Sequence, residues 1–195
     1  MNPQVQSFYD PATFTFTYVV YDRDGGHAAI VDPVLDYDPA SARTSTAAAD
    51  RVLAFVRDHA LIVDWILETH AHADHLTSAA YLKRETGAKV AIGRGITQVQ
   101  ERFKALYGLE PEFATDGRQF DQLFADGDMF AIGELKTRAI ATPGHTDDSL
   151  TYLVGDAAFV GDTVFAPETG TARVDFPGGD ARKLYRSIRT LFDLP

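Results

Sequence analysis

The nearly continuous apolar run Leu61 to Leu67 leads directly into Glu68 and then Thr69-His70-Ala71-His72-Ala73-Asp74-His75. Such a run suits a strand covered on both faces, which places it inside a sheet with other layers packed against it. His70, His72, Asp74 and His75 then fall where that strand ends, at the rim where open α/β sheets place their ligands. In an extended segment His70 and His72 point to the same side, so both imidazoles can face one ion, with Asp74 and His75 at the start of the next element. A capped helix start with satisfied polar side chains is the plain alternative. Four ligand-type residues in six positions argue against it.

Two further segments have the same character. Thr142-Pro143-Gly144-His145-Thr146 turns sharply after an apolar run and presents one imidazole. Gly161-Asp162-Thr163 puts a carboxylate just past the run Ala157 to Val160. A lone loop histidine or a Gly-Asp turn is ordinary by itself; the combination with the first cluster is what marks them. The chain has no cysteine, so any metal must rest on imidazole and carboxylate, the donors expected for zinc, iron or manganese. His27, beside a turn, and His59, near a helix end, are assigned no catalytic role.

The net charge of −10 disfavours nucleic acid and anionic membranes as partners. Met1 to Phe14 lacks a secretory or transit pattern and no apolar run is long enough to span a membrane, so a cytoplasmic protein is expected. The length fits one domain, 1–195.

The residue pattern predicts a hairpin from Thr13 to Val31, turning at Asp24-Gly25-Gly26, and a polar loop from Asp32 to Ser45. Apolar positions Ala49, Val52, Leu53 and Val56 predict a helix over Thr46 to His59. A second helical stripe begins at Leu76, with Asp74 able to cap it and Gly87 placed to end it. Lys89 to Ile92 reads as a strand, Gly95 to Tyr107 as a helix, and Gly108 to Gly127 as a mostly irregular acidic connection. Met129–Ile132, Leu135–Ala141, Ser149–Val154 and Ala157–Val160 form a predicted meander, followed by a helix at Leu184–Phe192.

His70-x-His72-x-Asp74-His75, then His145, then Asp162, resembles the metallo-β-lactamase superfamily in ligand order and approximate spacing over nearly the whole chain. The resemblance implies an α/β fold, a four-layer αββα sandwich with the metal cleft at one edge of its two sheets. Family members continue past the final helix into a strand bearing a His-Asp-Tyr run. Here the sequence ends at Pro195, so the expected fold is truncated at the C-terminus, without that strand and helix.

The segment Gly170-Thr171-Ala172-Arg173-Val174-Asp175-Phe176-Pro177-Gly178-Gly179, followed by Leu184-Tyr185-Arg186-Ser187-Ile188, resembles the persulfide dioxygenase branch, which is similar to glyoxalase II. This implies oxidation of glutathione persulfide by dioxygen to sulfite and glutathione. It further implies one Fe(II) per chain, with His70, His72, His145 and Asp162 as metal residues and His70, His145 and Asp162 as the iron core. Asp74 and His75 would orient ligands and hydrogen-bond bound water. Arg173 would place an anionic substrate or, alternatively, pair with Asp175. The partners implied are glutathione persulfide and dioxygen, with a homodimer left open. The competing implication is a binuclear zinc thioester hydrolase of the glyoxalase II type.

Overall fold

The computed structural model of the protein describes residues 2–175 and 177–194. The chain opens with β1 (Gln4–Asp10), β2 (Thr15–Tyr21), β3 (His27–Val31), β4 (Val34–Asp38) and β5 (Arg43–Ser45). Helix α1 (Ala47–Asp58) leads to β6 (Ile62–Leu67), β7 (Leu76–Thr77), α2 (Ala79–Thr86), β8 (Lys89–Gly93), α3 (Ile96–Tyr107) and β9 (Gln122–Phe124). Then come β10 (Met129–Ile132), β11 (Leu135–Ala141), β12 (Leu150–Val154), β13 (Ala157–Phe159), a 3-10 turn at Gly161–Thr163 and α4 (Ala181–Phe192).

One sheet has the order β1-β2-β3-β6-β8-β9. Its first three strands pair antiparallel, and the pairs from β3 through β9 are parallel. The second sheet is the antiparallel meander β10-β11-β12-β13, and a small third sheet has the order β5-β4-β7.

Alternation along the strands of the large sheet divides the interior into two cores. Val19, Tyr21, Ala28, Ile30 and Ile66 face α1 and α2, where they meet Ala49, Val52, Leu53, Val56 and Leu82. Their neighbours Val20, Ala29, Val31 and Leu67 face the meander and meet Ile132, Leu135, Ala139, Tyr152 and Val154. Each fully buried Ile, Leu or Val contributes about 1.5–3 kcal/mol relative to exposure. This is the αββα arrangement, and α4 packs where Ser187 Oγ donates to Pro143 O (2.7 Å) in the turn after β11.

Asp64 is the polar interruption in the apolar run, and a β-bulge explains it. Ala28 pairs with Val63 and Ala29 with Trp65, so Asp64 is the extra residue. Its carboxylate accepts from Gly133 N (3.2 Å) and lies 2.9 Å from His27 Nδ1.

Three local expectations are corrected. The polar stretch Asp32 to Ser45 contains the hairpin β4–β5, turning through Pro39, with polar β5 at the edge of the small sheet. The acidic connection contains β9, paired parallel to β8. The second helix starts at Ala79 with Ser78 at its N-cap, because Leu76–Thr77 pairs with β4. Asp74 therefore caps nothing. Strand β1, for which no expectation was drawn, is an exposed edge that gains its register from β2.

Candidate metal centre

Three elements meet at the rim shared by the two sheets. Beyond β6, Glu68 N donates to Ala91 O in β8 (2.9 Å) and Leu150 N of β12 donates to Thr69 O (2.8 Å). The histidine segment thus starts from a point fixed to both sheets. His145 follows β11, and Asp162 lies in the 3-10 turn after β13.

His70, His145 and Asp162 place one ligand atom each within 4.8 Å of one another. His145 Nε2 is 3.3 Å and His70 Nε2 3.9 Å from Asp162 Oδ2. Donors bound at about 2.0–2.2 Å to one ion stand roughly 3–3.5 Å apart, so a small contraction would seat a cation between them. Both imidazoles are already committed at Nδ1. That of His145 lies 2.8 Å from the main-chain carbonyl of Arg173, and that of His70 lies 3.0 Å from Thr69 Oγ1. The Thr69 hydroxyl donates its own proton to Asp32 Oδ2 (2.8 Å), so it receives one from His70. This pattern leaves the Nε2 lone pairs of both rings facing Asp162, the outer hydrogen bonding that metal-binding histidines generally have. Burial, reinforced by the adjacent His72 ring, holds His70 well below the ordinary histidine range, so it is a neutral ligand. Burial pushes the Asp162 carboxyl up, partly offset by His145. A bound cation would reverse that push. The donor set fits a divalent metal.

His72, Asp74 and His75 form a second cluster. The His72 ring lies 4.2 Å, centre to centre, from those of both His70 and His75. His75 is buried with neither ring nitrogen in a well-aligned hydrogen bond, although its Nδ1 comes within 3.2 Å of Asp74 Oδ1. That proximity holds the Asp74 carboxyl down to about 2.

His72 does not turn the same atom to the first cluster as the extended-segment argument implies. Its Nε2 is 3.1 Å from Asp32 Oδ1 and 3.3 Å from Glu68 Oε2, both buried. Asp32 and Glu68 are site residues that the sequence reading missed. For Asp32 there was a usable signal, since it stands at the end of an apolar strand run on the same rim. Its backbone φ of 48° is a left-handed conformation costing about 1–2 kcal/mol outside glycine, and strain of this kind tends to collect at functional sites.

Arg173 reaches the centre only through its main chain. Its guanidinium is exposed and pairs with Asp175 at 2.7 and 3.0 Å. Phe176 of the same run lies outside the described residues. A cavity of about 720 Å³ opens beside His72, His75 and Asp162, with Phe14, Tyr18 and Phe159 on its walls.

Gly161 (φ 49°) sets the approach of the two sheets, because a Cβ there would lie 2.3 Å from Thr69 Oγ1. Gly161→Ala is expected to destabilise the protein by roughly 2–4 kcal/mol through overpacking and left-handed strain. It should also weaken metal binding at least about tenfold by displacing Thr69 from His70. Urea unfolding and chelator competition measure the two effects; wild-type values in both would show that this contact is slack.

A family model described as the metallo-beta-lactamase superfamily matches residues 10–195. A probable metallo-hydrolase of Burkholderia pseudomallei is 53% identical over 201 residues, covering 98% of this chain and 68% of that protein. The human mitochondrial persulfide dioxygenase is 29% identical over 194 residues, covering 98% of this chain and 64% of that protein. Among solved structures, ETHE1 from Myxococcus xanthus superposes with a TM-score of 0.75 at 31% identity, covering 98% of this chain and 71% of that one. The chain spans between 44% and 68% of the length of the curated relatives it matches.

Proposed function

The chain belongs to the metallo-β-lactamase superfamily, and on that premise we propose that it is the catalytic domain of a mononuclear iron persulfide dioxygenase. Its substrate would be glutathione persulfide, oxidised with dioxygen and water to sulfite and glutathione. The observation that carries this reading is the division of labour among the histidines. His70 and His145 aim Nε2 at Asp162, while Nε2 of His72 is hydrogen-bonded to Asp32, with Glu68 nearby. Two imidazoles and one carboxylate on one face leave other coordination positions open, the arrangement associated with non-haem iron oxygenases. Bound Fe(II) would supply the redox chemistry with dioxygen. The chain's own contributions are to fix the proton on Nδ1 of both ligand histidines, to keep His70 neutral, and to present the adjacent cavity to the substrate. Arg173 would place a substrate carboxylate by exchanging its Asp175 partner for the ligand. The similarity to human persulfide dioxygenase supports the same reading.

A metal-dependent hydrolase is the second reading, and a specific observation favours it. His72, Asp74 and His75 could hold another ion, with both His75 nitrogens buried and poorly partnered, and the Burkholderia relative is named a probable metallo-hydrolase. Oxygen uptake by iron-loaded protein given glutathione persulfide tests the first reading, alongside thioester hydrolysis by zinc-loaded protein. Uptake matched by sulfite formation supports the dioxygenase. Thioester turnover with two zinc ions per chain and no oxygen uptake would replace it with the hydrolase.

A further inference from the structure

The metal centre is assembled from both sheets: His70 and His72 follow β6 of the large sheet, whereas His145 and Asp162 follow β11 and β13 of the meander. Ligand spacing therefore depends on how the two rims are tied together. One tie is the backbone bond from Leu150 N to Thr69 O. A second is the bond from Tyr152 Oη of β12 to Glu68 O at 3.0 Å, and a third runs through a carboxylate. Asp148 Oδ2 accepts from Ala71 N at 2.8 Å, and Ala71 lies between His70 and His72.

Asp148 is an unusual residue for that position. It is 1% exposed, and its second oxygen, Oδ1, is buried without a hydrogen-bond partner. An under-satisfied buried carboxylate costs stability. Burial accordingly pushes its carboxyl up. The loop that carries it is held firmly from the other side. Arg102 Nη1 of α3 and Lys183 Nζ of α4 lie 2.7 and 3.2 Å from the two oxygens of Asp147. A Cβ on Gly93 would lie 2.2 Å from Asp148 O, so this backbone is packed directly against the end of β8. Asp148 thus extends from an anchored loop to the main chain of the histidine segment.

We propose that Asp148 is a positioning residue that sets the separation of the two ligand loops, and thereby metal affinity, through acceptor geometry rather than charge. The bond to Ala71 N needs only an oxygen at that point, which an asparagine amide also supplies. Truncation to alanine removes the oxygen and frees the segment carrying His70 and His72.

The test is zinc affinity of the apo protein by chelator competition, with thermal unfolding of the same samples. Asp148→Ala is expected to bind zinc about 10–100-fold more weakly, the range for losing an outer-shell partner. Asp148→Asn is expected to stay within about threefold of wild type, because its amide oxygen still accepts from Ala71 N. Folded Asp148→Ala with wild-type affinity would overturn the proposal, and so would Asp148→Asn binding as weakly as the alanine variant. If Asp148→Ala does not fold, the asparagine variant still decides, together with hydrogen exchange at Ala71. A wild-type Ala71 amide that exchanges as freely as an exposed one would also overturn it.

Discussion

Replacing His145 with alanine is expected to abolish stable metal binding, with affinity falling at least about 100-fold, since even outer-shell losses cost 10–100-fold. The expectation follows from how few donors the first cluster has. With His145 gone, His70 and Asp162 remain, 3.9 Å apart, as a two-donor site open to solvent on one side. Asp162 would also lose the neighbour that offsets its burial, so its carboxyl should rise further and ligate less well. The fold should survive, because His145 stands in a loop at the rim, where its Nδ1 meets Arg173 O, and not in either apolar core. The measurement is metal per chain after iron or zinc loading and desalting, with His27→Ala as the control. His27 binds Asp64 across the bulge and lies outside the centre. A His145→Ala protein that retains a full metal equivalent would mean that the ion sits in the His72–Asp74–His75 cluster instead.

The second large effect is on stability. Asp32→Ala should cost about 3–5 kcal/mol, the usual penalty for removing one partner of a buried charged pair. Three donors converge on this carboxylate: Thr69 N at 2.7 Å, Thr69 Oγ1 at 2.8 Å and His72 Nε2 at 3.1 Å. Burial alone would raise Asp32, but His72, His70 and the Thr69 N–H together hold the carboxyl below its ordinary value. The same pair seen from His72 has the opposite sign. Burial would lower it, and Asp32 with Glu68 raises it well above the ordinary histidine range.

The pH dependence in metal-free protein follows from these directions. Asp32 stabilises above the ordinary carboxylate pKa of about 4, and that contribution is lost as pH falls through its depressed folded value. His72 stabilises fully below about 6.5, and its contribution is lost as pH rises through its raised folded value. Wild type minus Asp32→Ala stability should therefore be largest between those limits. Urea unfolding across pH checks it, and a difference that is flat with pH would show that the pair is neutral. The effect reaches the metal as well, because Thr69 orients His70 only while Asp32 accepts the threonine hydroxyl.

Elements with strong internal periodicity were legible in advance. Helix α1 has its apolar face at Ala49, Val52, Leu53 and Val56, and all four are buried. The four meander strands came out close to their expected limits because Gly, Asp or Pro stands between them. Strands β4, β5 and β9 were not legible. They are three to five residues long, too short for a period to show, and become strands only because a partner is adjacent. The same reasoning covers Leu76–Thr77, which a helical stripe claimed until β4 paired with it.

The amino-acid order by itself determined the inventory of candidate ligands: four histidines and two aspartates, without cysteine, at three strand ends on one rim. Residue type and spacing suffice for that, because a strand's end and a turn's position are local properties. Which ligand atom faces which partner was decided by the tertiary structure alone. Asp32 and Asp148 lie 38 and 78 positions from His70, and each acts across space by accepting a hydrogen bond from a backbone N–H of the histidine segment. Nothing local to His70 or His72 encodes those partners. The hydrogen bonds that fix an imidazole's tautomer and direction come from whatever backbone and carboxylates the two sheets bring within about 3 Å, and that proximity exists only after they have packed.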